Sequence, residues 1–65
     1  MVNDVRIFIQ RGKGKKFDYL FTLENLEIAN AYVREIVDFE KCIPTGITQI
    51  HVVNYTGKKL LGVKL

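Results

Sequence analysis

The chain has 65 residues, about half of a typical domain, a length that allows one small domain, with no second lobe and no room for an elaborate active site expected. Hydrophobic residues at 48% and charged residues at 26% exclude disordered, collagen-like and highly charged classes of chain. The net charge of +3 is modest, so its distribution along the chain matters more than its size.

Val5-Arg6-Ile7-Phe8-Ile9-Gln10 is β-branched and aromatic, with Val5, Ile7 and Ile9 alternating onto one face as a half-buried strand requires. A glycine-punctuated basic tip, Gly12-Lys13-Gly14-Lys15-Lys16, leads into a second alternating run, Phe17 to Thr22. A slip of one residue would reverse every side chain. A five-residue loop over 12–16 avoids this by setting Ile9 opposite Tyr19, Ile7 opposite Phe21 and Val5 opposite Leu23. It sends Phe8 and Leu20 to the outer face.

Thr22 or Asn25 can cap the helix that follows. At about 100° per residue, Ile28, Phe39, Tyr32, Ile36, Ala29, Val33, Leu26 and Val37 fill one half of the cylinder, interrupted only by Glu40. This predicts an amphipathic helix over 25–41. Pro44-Thr45-Gly46 ends it. Ile47 to Tyr55 then reads as a third strand and Leu60 to Leu65 as a fourth, joined at Thr56-Gly57 with Val52 opposite Leu61 and Ile50 opposite Val63. Leu60, Val53 and Tyr55 are assigned to the outer face.

The expectation is an α+β chain: a single ββαββ domain over 1–65 whose four-stranded mixed sheet carries the helix across one face. A right-handed crossover that pairs the last strand parallel to the first gives strand order 2-1-4-3. With Thr56-Gly57, the helix at 25–41 and Ile43-Pro44, the pattern resembles the β-grasp arrangement of immunoglobulin-binding bacterial domains and part of ubiquitin. The resemblance is to a topology, covers no diagnostic motif and implies no function.

No apolar run approaches the ~18 residues of a membrane span. Met1-Val2-Asn3-Asp4 lacks the basic start of a signal peptide, so a cytoplasmic location with no membrane partner is expected. The single cysteine, Cys42, forms no internal disulfide and suits a reducing compartment. Cys42 and His51 are the only good nitrogen or sulfur donors, so neither a structural zinc nor another cofactor is expected. The chain contains no serine, Cys42 follows a helix C-terminus where the dipole disfavours a thiolate, and the glycine-rich tip lacks the P-loop pattern. No enzyme is expected.

Residues 24–40 hold five acids and one base, a net −4, whereas the remainder holds nine bases and two acids, a net +7. The helix side is therefore acidic and the sheet with its turns basic. Two classes of binding module follow. Below about 70–80 residues a core alone supplies only about 3–5 kcal/mol. This favours a homodimer that also binds a protein partner, through Phe8, Leu20, Val53, Tyr55 and Leu60 with Ile28 and Tyr32 on the helix. The alternative is a single-stranded nucleic-acid binder using Arg6, Arg11, Lys13, Lys15, Lys16 and Lys64.

Overall fold

The computed structural model describes residues 3–65; Met1 and Val2, which open the segment read above for a signal peptide, lie outside the described residues. Strands β1 (Val5–Arg11) and β2 (Asp18–Leu23), helix α1 (Leu26–Cys42), and strands β3 (Ile47–Asn54) and β4 (Lys59–Lys64) follow in that order. The α+β composition and the ββαββ sequence of elements are as expected. The strand order is not.

The sheet runs β2-β1-β3-β4, with every neighbouring pair antiparallel. The parallel pairing of the first and last strands, the mixed sheet and the β-grasp-like order 2-1-4-3 are all corrected by this arrangement. A central strand must bury its side chains and hydrogen-bond along both edges. Strand β3 meets that demand: it has eight residues, and Ile50 and Val52 are fully buried. Strand β4 has six and carries Lys59, Gly62 and Lys64, a composition suited to a solvated edge. Helix α1 leaves β2, passes over β1 and returns into β3.

The core is small. Val5, Ile7, Ile9, Ile50 and Val52 from the two central strands meet Ala29 and Val33 from the helix, with Phe21, Leu23, Ile36, Val37, Leu61 and Val63 at its margin. Of the two capping candidates, Asn25 is the one used, its Oδ1 accepting from the Ile28 amide at 2.9 Å.

Two bulges overturn side-chain placements made from alternation. Val5, Ile7, Phe21 and Leu23 pair as expected, but Phe8 then faces Tyr19 and Ile9 faces Asp18, leaving Leu20 as the extra residue. Leu20 therefore turns to the helix side, beside Ile9, Ile36 and Phe39, and Tyr19 takes the outer face. In β4 the expected Val52–Leu61 and Ile50–Val63 pairs form, but Val53 faces Lys59 and Leu60 is bulged, turning toward Val5 and Leu26. The reason is the same at both edges: each leucine gains apolar neighbours at the helix margin while staying 37% or 39% exposed, whereas tyrosine and lysine keep a polar end in water.

The second turn is one residue longer than expected, with Asn54 N donating to the Lys58 carbonyl and Gly57 at φ 91°. Asn54 Oδ1 completes it, accepting from the Thr56 and Lys58 amides at 3.0 and 2.9 Å.

Candidate functional site

Among the described residues no helix or strand covers the sheet face opposite α1. Alternation from the buried Val5, Ile7 and Ile9 places Arg6, Phe8 and Gln10 on it, and the registers add Tyr19 and Thr22 from β2, Gln49, His51 and Val53 from β3, and Lys59, Gly62 and Lys64 from β4. Rings cross its middle. Phe8 and Tyr19 meet edge-to-face with centroids 5.8 Å apart, and the Tyr19 hydroxyl lies 2.8 Å from Thr22 Oγ1. Phe17, just before β2, reaches across β1 to stack on His51 at 4.2 Å and 23°.

His51 is thereby covered on one side, and Gly62 beside it leaves room for the Lys59 side chain: a Cβ on Gly62 would lie 3.5 Å from Lys59 Nζ and 3.6 Å from His51 Cδ2. Burial, and secondarily the Lys59 charge, lower the His51 pKa below its ordinary value. The direction of the shift favours the neutral imidazole, which suits a ring stacked under Phe17 better than a desolvated cation would.

At one end of this face the first loop folds back onto the sheet. Gln10, only 6% exposed, donates through Nε2 to the Gly14 carbonyl and accepts at Oε1 from Gln49 Nε2 at 2.7 Å. Thr48 Oγ1 donates to the Gly12 carbonyl at 2.9 Å. Beside this network Lys13, Lys15 and Lys64 line a shallow depression of about 410 Å³. Lys16 is exposed on the same loop, and Arg6 is exposed nearer the opposite end of the face. Arg11 departs from the nucleic-acid set: it lies on the helix side, lining the depression that contains Leu20.

The helix side carries the apolar candidates. Ile28, Tyr32 and Phe39 share one side of α1, toward β2, and remain 41%, 42% and 54% exposed. Tyr32 meets Phe21 edge-to-face at 4.8 Å, so it seals the core margin and still presents half of its surface. Beside Phe39, a depression of about 390 Å³ is lined by Leu20, Ile36 and Ile47 with Arg11 and Glu35 among its polar residues. Leu60 and Tyr55 lie apart from this strip, in a second depression with Leu26 and Glu27. The seven proposed interface residues are therefore split three ways: Phe8 and Val53 on the open face, Leu20 with Ile28 and Tyr32 at the β2 margin, Leu60 with Tyr55 near the helix N-terminus.

Glu40 has a structural task that its position in the sequence hints at, as the one acid in the apolar half of the helix. Its carboxylate accepts from Thr45 Oγ1 at 2.6 Å and from the Thr45, Gly46 and Ile47 amides at 2.8, 2.7 and 3.0 Å, clamping the helix end to the start of β3. The Thr45 hydroxyl, with the three amides, lowers its pKa against a smaller opposing effect of burial. Because the folded value lies below the unfolded one, this contribution to stability is complete above the ordinary glutamate range and is lost as pH falls through the folded value. Thermal midpoints measured from roughly pH 5 to pH 2 are expected to fall less steeply for Glu40→Gln than for the wild type. Equal slopes would show that the clamp contributes nothing to acid unfolding.

Cys42 is exposed at the end of α1 while His51 lies on the opposite face of the sheet, so the two do not form a dyad. Among the described residues no three His, Cys, Asp or Glu side chains gather as metal ligands, and no helix is long and apolar enough to cross a membrane. No family model, no curated protein and no solved structure matches this chain. What defines its class is therefore its own architecture: a small ββαββ domain with an antiparallel 2-1-3-4 sheet, a basic aromatic open face and an apolar helix margin.

Proposed function

We propose that this chain is a non-catalytic interaction module that self-associates through the margin where α1 overhangs β2. The observation that carries the reading is the exposed strip of Ile28, Tyr32 and Phe39 beside Leu20, apolar area that a chain with seven buried core residues among those described gains by covering. A second copy is the occupant favoured by charge. Arg11 and Glu35 both line the same apolar depression, so a second copy packed across it by a two-fold axis offers opposite charges to each of them. The dimer surface is thus moved from the open face to the margin, following Leu20.

Sedimentation equilibrium at micromolar concentration tests this. The wild type is expected as a dimer. Phe39→Asp is expected to raise the dimer Kd at least roughly thirtyfold, the loss of an interface anchor worth ~2 kcal/mol. Arg6→Asp, on the opposite face, is expected to leave the mass unchanged. A strictly monomeric wild type overturns the proposal.

A further inference from the structure

We infer that the open face of the sheet binds single-stranded nucleic acid, with unpaired bases against the rings of Phe17 and Tyr19 and phosphates against the cations around them. The inference does not rest on self-association, because the helix margin lies on the other side of the sheet.

Charge is the first argument. Among the described residues, none of the positions that β1 to β4 direct to this face is an acid, whereas Arg6, Lys59 and Lys64 lie on it. Lys13 and Lys15 join Lys64 at one end because the Gln10 and Thr48 hydrogen bonds hold the loop against the sheet there. The acids lie elsewhere. Asp18 pairs with Ile9 and so faces the helix side, Asp4 precedes β1 at the end of the sheet remote from Lys13, Lys15 and Lys64, and the remainder lie on α1 or just before it. A polyanion meets attraction from this side and repulsion from the other.

The rings supply the second argument, and they select unpaired bases over a duplex. Lysines alone would bind any polyanion, but π-faces gain only from bases whose own faces are accessible. Tyr19 is 54% exposed, and Phe17, stacked on His51, is only partly buried. The stack on His51 holds the Phe17 ring against the open face. An acidic peptide would satisfy the lysines and leave the rings without partners.

Anisotropy titrations of labelled mixed-sequence DNA and RNA single strands, with the matching duplex and a polyglutamate peptide of equal charge, test the inference at two salt concentrations. Saturable binding of single strands is expected, tighter than that of duplex or polyglutamate. At roughly −0.7 in the salt slope per neutralised phosphate, replacing Lys13, Lys15 and Lys64 by Ala together is expected to reduce the slope by about two. Tyr19→Ala is expected to weaken binding roughly fivefold to a hundredfold, as loss of a stacked base does. All four side chains are exposed, so the variants keep the core, and circular dichroism checks this. Amide shifts of the wild type on titration are expected at Phe8, Phe17, Tyr19 and His51. No binding at low salt overturns the inference. So does equal binding of the duplex, equal binding of polyglutamate, which would assign the face to an acidic protein, or amide shifts confined to the helix.

Discussion

Ile7→Ala is expected to leave the domain largely unfolded at 37 °C. Ile7 is fully buried at the centre of β1, between Phe21 of β2 and Val52 of β3, and it is one of seven buried core residues among those described. Truncating a buried isoleucine costs about 2–5 kcal/mol, a transfer loss plus the cavity left behind. A domain below about 70 residues without disulfides or metal holds about 3–5 kcal/mol in total. The two ranges overlap, so the substitution removes most or all of the stability. In a domain of this size each kcal/mol moves the thermal midpoint by about 4–8 °C. Far-ultraviolet dichroism on heating should therefore show a fall of at least ~10 °C, and Ile43→Ala, already 58% exposed and outside the helix margin, a much smaller one. Similar midpoints for the two variants would mean that the core is not where the stability resides.

Gly46→Ala is the second large effect expected, and its cause is the backbone. Gly46 has φ of 97°, in the region where a side chain is strained even though a Cβ there would meet nothing within 4 Å. Holding a non-glycine residue in such a conformation costs about 1–3 kcal/mol. The alternative is for the loop to shift, which breaks the bonds that depend on this conformation. The Gly46 amide donates to Glu40 at 2.7 Å and its carbonyl accepts from the Gly12 amide at 3.0 Å, so one residue joins the helix end, the start of β3 and the first hairpin loop. The variant should lose about 1–3 kcal/mol in urea unfolding, and amide protection should drop at Gly12 and Ile47 together. Loss at Ile47 alone would show that the hairpin loop is held independently, by Gln10 and Thr48.

Local pattern carried most of the elements. The alternation of Val5, Ile7 and Ile9, the helical repeat through Ala29 and Val33, and the pairing of Ile50 with Val63 and Val52 with Leu61 are all periodicities of 2.0 or 3.6 that a side chain's surroundings enforce residue by residue. The open face was legible in part for the same reason: Arg6, Phe8, His51, Val53 and Lys64 follow from alternation within stretches of their own strands that contain no bulged residue. Leu20 and Leu60 did not follow, because a bulge adds a residue without any change in hydrophobic pattern, and each side chain beyond it is displaced to the other face.

What the sequence by itself determined, then, is the order ββαββ, the inward faces of the central strands and the separation of an acidic helix from a basic sheet. Only the tertiary structure decided which strand lies beside β1. The connection through α1 is long enough to deliver either following strand, and a strand's own pattern says how buried it will be but not against which edge it hydrogen-bonds. The choice of β3 rests on a comparison across the whole sheet, in which the longer strand with two fully buried residues takes the centre and the lysine-bearing strand takes the edge. The Phe17–His51 stack follows from that choice, since Phe17 reaches across β1 to a ring on the strand directly beside it.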